Sequence, residues 1–135
     1  KGYVSDATRT FGLGSISKEA ITVYEIVKES QKAGLKAVRP GKTCASVDDA
    51  CRKIIEEHSY GPHFIHSTGH GIGLDVHESP NISAKSKEKL KKDMAITVEP
   101  GIYIPKKFGV RIEDSLIVKD RADVMHKFTK DLIVI

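Results

Sequence analysis

Four of the six histidines lie within one fifteen-residue stretch, which also holds glycines at positions 69, 71 and 73. Imidazoles bind metal ions and move protons near neutral pH, and glycines let the backbone approach a ligand closely. His70 and His77 are seven positions apart, so they would face opposite sides of a regular strand and meet only if the chain bends or bulges. The alternative is a set of surface or hydrogen-bonded histidines. The four are His63, His66, His70 and His77.

Three acidic residues lie within or beside strand-like runs. Asp6 lies in the first such run, Glu99 follows the apolar run 94–98, and Glu113 lies inside 110–118. Acids are depleted in strands and costly to bury unless they are paired or bind a metal. Together with one imidazole they would form an oxygen-rich site of the kind that suits Mn²⁺, Co²⁺, Fe²⁺ or Zn²⁺. The alternative for each acid taken alone is a surface salt bridge.

The composition bounds the classes of protein to which the chain can belong. It has 135 residues, close to the size of one domain and enough for a core without disulfides. Hydrophobic residues make up 39% and charged residues 30%, which argues against disorder and against a membrane protein. A net charge of +4 without a basic stripe does not indicate nucleic acid as a partner. Cys44 and Cys51 are interpreted as reduced core thiols, which predicts a cytoplasmic location.

The elements that must position these residues form two groups. A strand is expected over 3–11, followed by a helix over about 17–38 and a second helix that begins at Thr43 or Ser46 and ends near 59–61. The five lysines between 85 and 92 are expected to form a solvated face. The order of elements predicts an α+β domain with a mostly antiparallel sheet. Further strands are expected near 63–66, 73–77, 94–99, 101–104, 110–118 and 131–135.

Alternation within the run 110–118 sorts its side chains between two faces. Arg111, Glu113 and Ser115 would share one face of the strand, and Asp114 would lie on the other with Val110 and Ile112. The sequence therefore separates two neighbouring acids, Glu113 and Asp114, by the side of the sheet that each would occupy.

Four segments, in order, resemble the motifs of the pita-bread-fold metallopeptidases, which include methionine aminopeptidase, aminopeptidase P and prolidase. They read YVSDATRTF, HSTGHGIGLDVHESP, MAITVEPGIYIP and GVRIEDSLIV. The resemblance implies a pita-bread fold, with a mostly antiparallel curved sheet and helices on one side. It also implies that residues 1–135 are the C-terminal part of a metallopeptidase catalytic domain, N-terminally incomplete.

The resemblance implies a dinuclear metal site with Asp6, His70, Glu99 and Glu113 as ligands. Asp6 and Glu113 would bridge two divalent ions (Mn, Co, Zn or Fe), and His70 and Glu99 would complete one of them. The family's first aspartate would fall before Lys1. We therefore expect little activity and weak or single metal occupancy from this chain alone. The family's two N-terminal helices would also be absent, which would expose apolar sheet surface, so we expect self-association into a homo-oligomer.

Within that family the proline-specific enzymes are more similar than the methionine aminopeptidases. They carry a histidine four residues before the metal histidine, here His66, and an arginine two residues before the last glutamate, here Arg111. The implied reaction is hydrolysis of an Xaa-Pro bond at a peptide N-terminus by a hydroxide that bridges the metals. The implied partner is a peptide with proline at its second position.

The remaining roles follow from the same resemblance. His77 would stabilise the oxyanion, Glu99 would carry a proton, His66 would hold the substrate, and Arg111 would orient the substrate or the neighbouring carboxylates. The alternatives are a methionine aminopeptidase and a non-catalytic peptide-binding module on the same fold. Outside these roles, His63 is expected to be structural, His58 and His126 to be surface residues, and Tyr103 to pack rather than line the pocket.

Overall fold

The computed structural model describes residues 1–135, which form two helices and eight strands. Helix α1 spans Lys18–Ala37 and helix α2 spans Cys44–Glu57, and a 3₁₀ turn follows at Gly61–His63. Neither helix combines the length and the apolar character needed to cross a bilayer. The strands are β1 Ala7–Thr8, β2 Gly69–Gly71, β3 Glu78–Ile82, β4 Ala95–Val98, β5 Gly101–Ile104, β6 Phe108–Arg111, β7 Glu113–Val118 and β8 Ala122–Val124.

Both helices begin at hydroxyl side chains that cap a free backbone amide. Ser17 accepts a hydrogen bond from the amide of Ala20, and Thr43, rather than Ser46, caps α2. The predicted apolar stripes are confirmed, because Val23 and Val27 of α1 and Val47 and Cys51 of α2 are all fully buried. The helices cross closely where α1 has no side chain. A Cβ built on Gly34 would lie 2.3 Å from the Cys51 sulfur.

One sheet carries most of the strands, in the order β1-β7-β4-β2-β3, and every pair in it is antiparallel. Strand β7 has β4 along one edge, and β1 and β8 follow one another along its other edge. Strands β5 and β6 form a separate hairpin. The predicted α+β class with a mostly antiparallel sheet is confirmed.

The two faces of the sheet have different partners, as the alternation within 110–118 predicts. Asp114 faces α1, where its carboxylate accepts a hydrogen bond from the Gln31 side chain at 2.8 Å. The side chains of Thr97, Glu113 and Ser115 lie on the opposite face, where Ser115 donates to the carbonyl of Asp6. The helices therefore cover one face, and Glu113, a predicted ligand, lies on the other.

Several predicted strands are wrong. Only Ala7–Thr8 of the run 3–11 joins the sheet. The segment 63–66 forms no strand, because Pro62 starts a 3₁₀ turn and the side chain of Arg52 binds the carbonyls that a ladder would use. The segment 73–77 consists of bends, and the real strands flank it as β2 and β3. The segment 131–135 makes only an isolated bridge from Val134 to Gly12, and β8 was not predicted.

Two smaller predictions are confirmed. All five lysines between 85 and 92 are exposed. Cys44 and Cys51 are both fully buried and free, and burial raises the pKa of the Cys51 thiol to about 12. These thiols belong to the core between the two helices and the sheet.

Candidate metal centre

The four predicted ligands come from four places that the sheet order makes neighbours. Asp6 immediately precedes β1, His70 lies in β2, Glu99 follows β4, and Glu113 begins β7. Because β1, β7, β4 and β2 are successive strands, side chains from the same face of each converge. Residues more than a hundred positions apart in the sequence therefore meet.

The ligand atoms lie within a few ångströms of one another. His70 Nε2 is 3.1 Å from a carboxylate oxygen of Glu99 and 3.6 Å from one of Asp6. One ligand atom from each of Asp6, His70 and Glu113 can be chosen so that all three lie within 4.8 Å of one another. The structure thus brings all four residues together, with Glu99 reaching the cluster through its contact with His70.

A bulge and close strand packing place His70. The register between β2 and β3 shifts between His70 and Gly71, and this shift allows the His70 and His77 rings to approach to 4.3 Å between centroids. The predicted bend around the glycines is confirmed. Gly69 packs so tightly on β4 that a Cβ there would lie 2.0 Å from the Thr97 carbonyl oxygen.

The hydrogen bonds around the cluster leave lone pairs that point inward. His70 Nδ1 lies 2.9 Å from the carbonyl oxygen of Gly71, which only accepts, so Nδ1 carries a proton there. In the neutral ring Nε2 is then a bare acceptor that faces the carboxylate oxygens of Asp6 and Glu99. Two acceptors at such distances need a proton or a cation between them.

Glu113 carries the clearest sign of a missing partner. It is 1% exposed, and its Oε1 is the single buried side-chain polar atom without a hydrogen-bond partner. Its other oxygen accepts from the hydroxyl of Thr8. Buried polar atoms are nearly always paired, so this carboxylate, the facing lone pairs of His70 and the oxygen-rich donor set fit a divalent cation.

The electrostatics of the cluster agree with its geometry. Burial raises the pKa of Glu113 to about 7, and the negative charges of Glu99 and Asp6 act in the same direction. The hydrogen bond with Glu99 raises the pKa of His70. Burial alone would raise the pKa of Glu99, but the hydrogen bonds from His70 and Thr97 outweigh it and lower that pKa. The cluster binds protons in the positions that a cation would take.

An open, polar pocket of about 580 Å³ adjoins the cluster, and no hydrophobic residue lines it. Glu99 contributes to the lining, so it faces both the cluster and the open space. The other three residues predicted to contact substrate also line the pocket: His66, His77 and Arg111.

His66 and Arg111 are tied to neighbours that sequence reasoning undervalued. The Tyr103 hydroxyl lies 2.8 Å from His66 Nε2, while His66 Nδ1 contacts the Ser67 carbonyl. Tyr103 packs and does not line the pocket, as predicted, but its hydroxyl also orients His66, which the sequence did not indicate. Arg111 Nε donates to the hydroxyl of Thr8 at 3.0 Å, which places Arg111 beside the carboxylates as well as on the pocket wall.

The outer histidines behave differently from one another. His58 is exposed, as predicted. His126 is only partly exposed, and its Nε2 lies 3.0 Å from the carbonyl oxygen of Asp6, so its prediction as a plain surface residue is wrong. His63 does not line the pocket, and its ring lies tilted beside that of Tyr60, at 6.2 Å between ring centroids. This position agrees with the expected structural role.

Sequence reasoning missed the hydroxyl residues that organise the acids. Thr97 donates to Glu99 at 3.0 Å and accepts from the amide of His70 at 3.1 Å. Thr8 donates to Glu113. A signal was present, because Thr8 and Thr97 each lie two residues from an acid and so share its face in a strand.

Comparisons with known proteins agree with this site. Residues 1–120 match the family described as Metallopeptidase family M24. The chain is 48% identical over 132 residues to an Xaa-Pro dipeptidase of Pyrococcus furiosus, a match that covers 97% of this chain and 38% of that protein.

Solved structures match the whole described fold. An Xaa-Pro dipeptidase from Bacillus anthracis superposes with a TM-score of 0.97 at 46% identity, covering 99% of this chain and 38% of that one. An X-Pro aminopeptidase from Thermotoga maritima superposes with a TM-score of 0.95 at 38% identity, again covering 99% and 38%.

The fold and the carboxylate–imidazole cluster define a metallopeptidase domain of the pita-bread class, as the sequence motifs predict. The chain belongs to metallopeptidase family M24. It spans about 38% of the length of the relatives described above. The assignment of residues 1–135 to the C-terminal part of the catalytic domain stays a prediction.

Proposed function

We propose that the whole protein removes the N-terminal residue from peptides whose second residue is proline, by metal-dependent hydrolysis of the Xaa-Pro bond. The observation that carries this proposal is the convergence of Asp6, His70, Glu99 and Glu113 beside an open polar pocket. Similarity to proteins named Xaa-Pro dipeptidase and X-Pro aminopeptidase supports the choice of substrate.

Asp6, His70, Glu99 and Glu113 would hold two divalent ions. The free Oε1 of Glu113 and the position of His70 Nε2, which faces Asp6 and Glu99, support this assignment. Divalent ions at this site would polarise the scissile carbonyl and lower the pKa of a coordinated water towards neutrality. The donor set is compatible with Mn²⁺, Co²⁺, Zn²⁺ or Fe²⁺.

Glu99 is the carboxylate best placed to move the proton. Its side chain is 13% exposed and lines the pocket, whereas Glu113 is closed off from solvent. Glu99 would take the proton from the attacking water and return it to the leaving proline nitrogen. Thr97 holds one Glu99 oxygen, so the carboxylate keeps its orientation during both transfers.

His77 and His66 would act on the substrate from the wall of the pocket. The His77 ring packs beside His70, so it stands next to the position of a carbonyl oxygen at the metal site and would stabilise the oxyanion. His66 would contact the substrate with its orientation fixed by Ser67 and Tyr103. Arg111 would orient the carboxylates through Thr8.

A peptide panel tests the proposal in the whole protein. We expect Ala-Pro-X peptides to release alanine with Mn²⁺ or Co²⁺ present, the release to stop after chelation, and Met-Ala-X peptides to be poor substrates. Faster cleavage of Met-Ala-X would favour a methionine aminopeptidase, and metal binding without cleavage of either would favour a peptide-binding module.

Two variants with matched controls test the recognition of proline. We expect His66→Ala and Arg111→Met to reduce the preference for Ala-Pro-X over Met-Ala-X. His58→Ala and Arg39→Met remove the same side-chain types outside the pocket and should leave the preference unchanged. An unaltered preference in His66→Ala and Arg111→Met would contradict the roles given to those residues. The cytoplasmic location and the homo-oligomer stay predictions.

A further inference from the structure

Arg9 lies on the side of the sheet away from the pocket, behind the cluster of predicted metal ligands. Its side chain is 9% exposed, and its guanidinium joins β1 to β7. Nη1 donates to the carbonyl of Thr8 at 2.9 Å and to the carbonyl of Glu113 at 2.6 Å, and Nη2 donates to the Asp114 carboxylate at 2.7 Å. One side chain thus binds both strands at the register pair Thr8–Glu113.

Asp114 fixes the orientation of that guanidinium. Its side chain is fully buried, and its second oxygen accepts from Gln31 and from Lys130. Arg9 and Lys130 are both cationic, so the carboxylate has a charged partner on each oxygen. Neither Arg9 nor Asp114 lines the pocket, so neither can contact substrate there.

The backbone contacts of Arg9 determine where two side chains meet on the other face. Thr8 Oγ1 accepts from Arg111, because a guanidinium can only donate, so the single hydroxyl proton goes to Glu113. That arrangement leaves the Oε1 of Glu113 free. It requires Thr8 and Glu113 to stay in register, and the β1–β7 ladder contains only two residue pairs.

We propose that the ion pair of Arg9 and Asp114 positions the metal site. It holds β1 against β7 and so sets the distance between the carboxylates of Asp6 and Glu113. Asp6 immediately precedes β1, and the ladder that holds β1 is short, so loss of the guanidinium lets Asp6 move relative to Glu113. This inference rests on the proposed metal centre and adds a residue pair that binds no metal and no substrate.

The test measures Co²⁺ affinity by calorimetry and the visible absorption spectrum of the Co²⁺-loaded whole protein. We expect Arg9→Met to bind Co²⁺ ~10–100-fold more weakly, the range seen when outer partners of metal ligands are removed. The spectrum should change, because it reports the coordination geometry. Arg9→Lys keeps the charge but not the planar guanidinium, so its Co²⁺ affinity should fall between those of Arg9→Met and the unmodified protein. Arg39→Met removes an arginine elsewhere and should match the unmodified protein.

Thermal melting of each variant separates positioning from a merely structural role. Lower stability with unchanged Co²⁺ affinity and spectrum would overturn the proposal, and if Arg9→Met does not fold, Arg9→Lys decides on the same criterion. Tight binding by the unmodified protein and an equal affinity in Arg9→Met would contradict the positioning pair alone. Absence of Co²⁺ binding in the unmodified protein would contradict the metal centre and this inference with it.

Discussion

At the scale of single residues, the cluster is organised by hydroxyl and backbone groups that bind the outer sides of the ligands. Thr8 satisfies one oxygen of Glu113, Thr97 satisfies one oxygen of Glu99, and the Gly71 carbonyl binds the outer nitrogen of His70. Each contact fixes which lone pair remains for a cation. The site is thus a set of oriented acceptors and not only a group of acids.

Glu113 is expected to destabilise the protein when no metal is bound. Its pKa is about 7 against an ordinary value of 4.5, so the folded state loses stability as pH rises through that interval. At pH 8 and without metal, the free energy of unfolding of Glu113→Gln should be about 1–3 kcal/mol higher than that of the unmodified protein. At pH 4 the difference should disappear.

Urea unfolding at the two pH values measures this difference. Glu25→Gln, which removes an exposed carboxylate from α1, serves as the control and should change little at either pH. Equal free energies of unfolding of Glu113→Gln and the unmodified protein at pH 8 would show that the buried, ionised carboxylate of Glu113 does not destabilise the metal-free protein.

Thr97 should affect metal binding without being a ligand. Thr97→Val removes the donor to Glu99 and the acceptor for the His70 amide, and we expect ~10–100-fold weaker Co²⁺ binding. Thr97→Ser keeps the hydroxyl and should bind like the unmodified protein. Calorimetry measures these affinities. Equal Co²⁺ affinities of the Val and Ser variants would show that the Thr97 hydroxyl does not contribute to metal binding.

At the scale of elements, the crossing of α1 and α2 depends on Gly34. Alanine is a better helix former by about 1 kcal/mol, yet its Cβ would lie 2.3 Å from the Cys51 sulfur and 2.9 Å from a methyl group of Val98. We therefore expect Gly34→Ala to lower the free energy of unfolding by about 1–3 kcal/mol through overpacking.

A double-mutant cycle with Cys51→Ala tests that reason. Removing the sulfur opens space for the new methyl group, so the double variant should be more stable than the sum of the two single changes allows. Additive losses would show that the sulfur contact is not the cause.

The same scale explains what the sequence could predict. The helices were predictable because their caps and apolar periodicity are local signals, and β4 and β5 were predictable as apolar runs beside Pro100-Gly101. Strand β2 was not, because its three residues, Gly-His-Gly, carry no apolar alternation, and its glycines lie too close to the backbone of Thr97 and Ser79 to admit a side chain. The candidate ligands were identified from their residue types and motifs, whereas the bond from Thr8 to Glu113 depends on strand register, which is a long-range property.

At the scale of the whole molecule, metal binding should be coupled to stability. A cation that binds only the folded state at 100 times its dissociation constant adds about 2.7 kcal/mol. Chelation should therefore lower the melting temperature of the unmodified protein. Glu113→Gln weakens the site, so its melting temperature should respond much less. An equal response of both proteins to chelator would place the stabilising ion elsewhere.

The central claim is that Asp6, His70, Glu99 and Glu113 form one metal site, and anomalous diffraction tests it most directly. Crystals of the whole protein grown with Co²⁺ should show anomalous peaks ~2.0–2.2 Å from the His70 Nε2 and the carboxylate oxygens of the cluster. An ordered cluster without an anomalous peak, or peaks only at other residues, would contradict the claim.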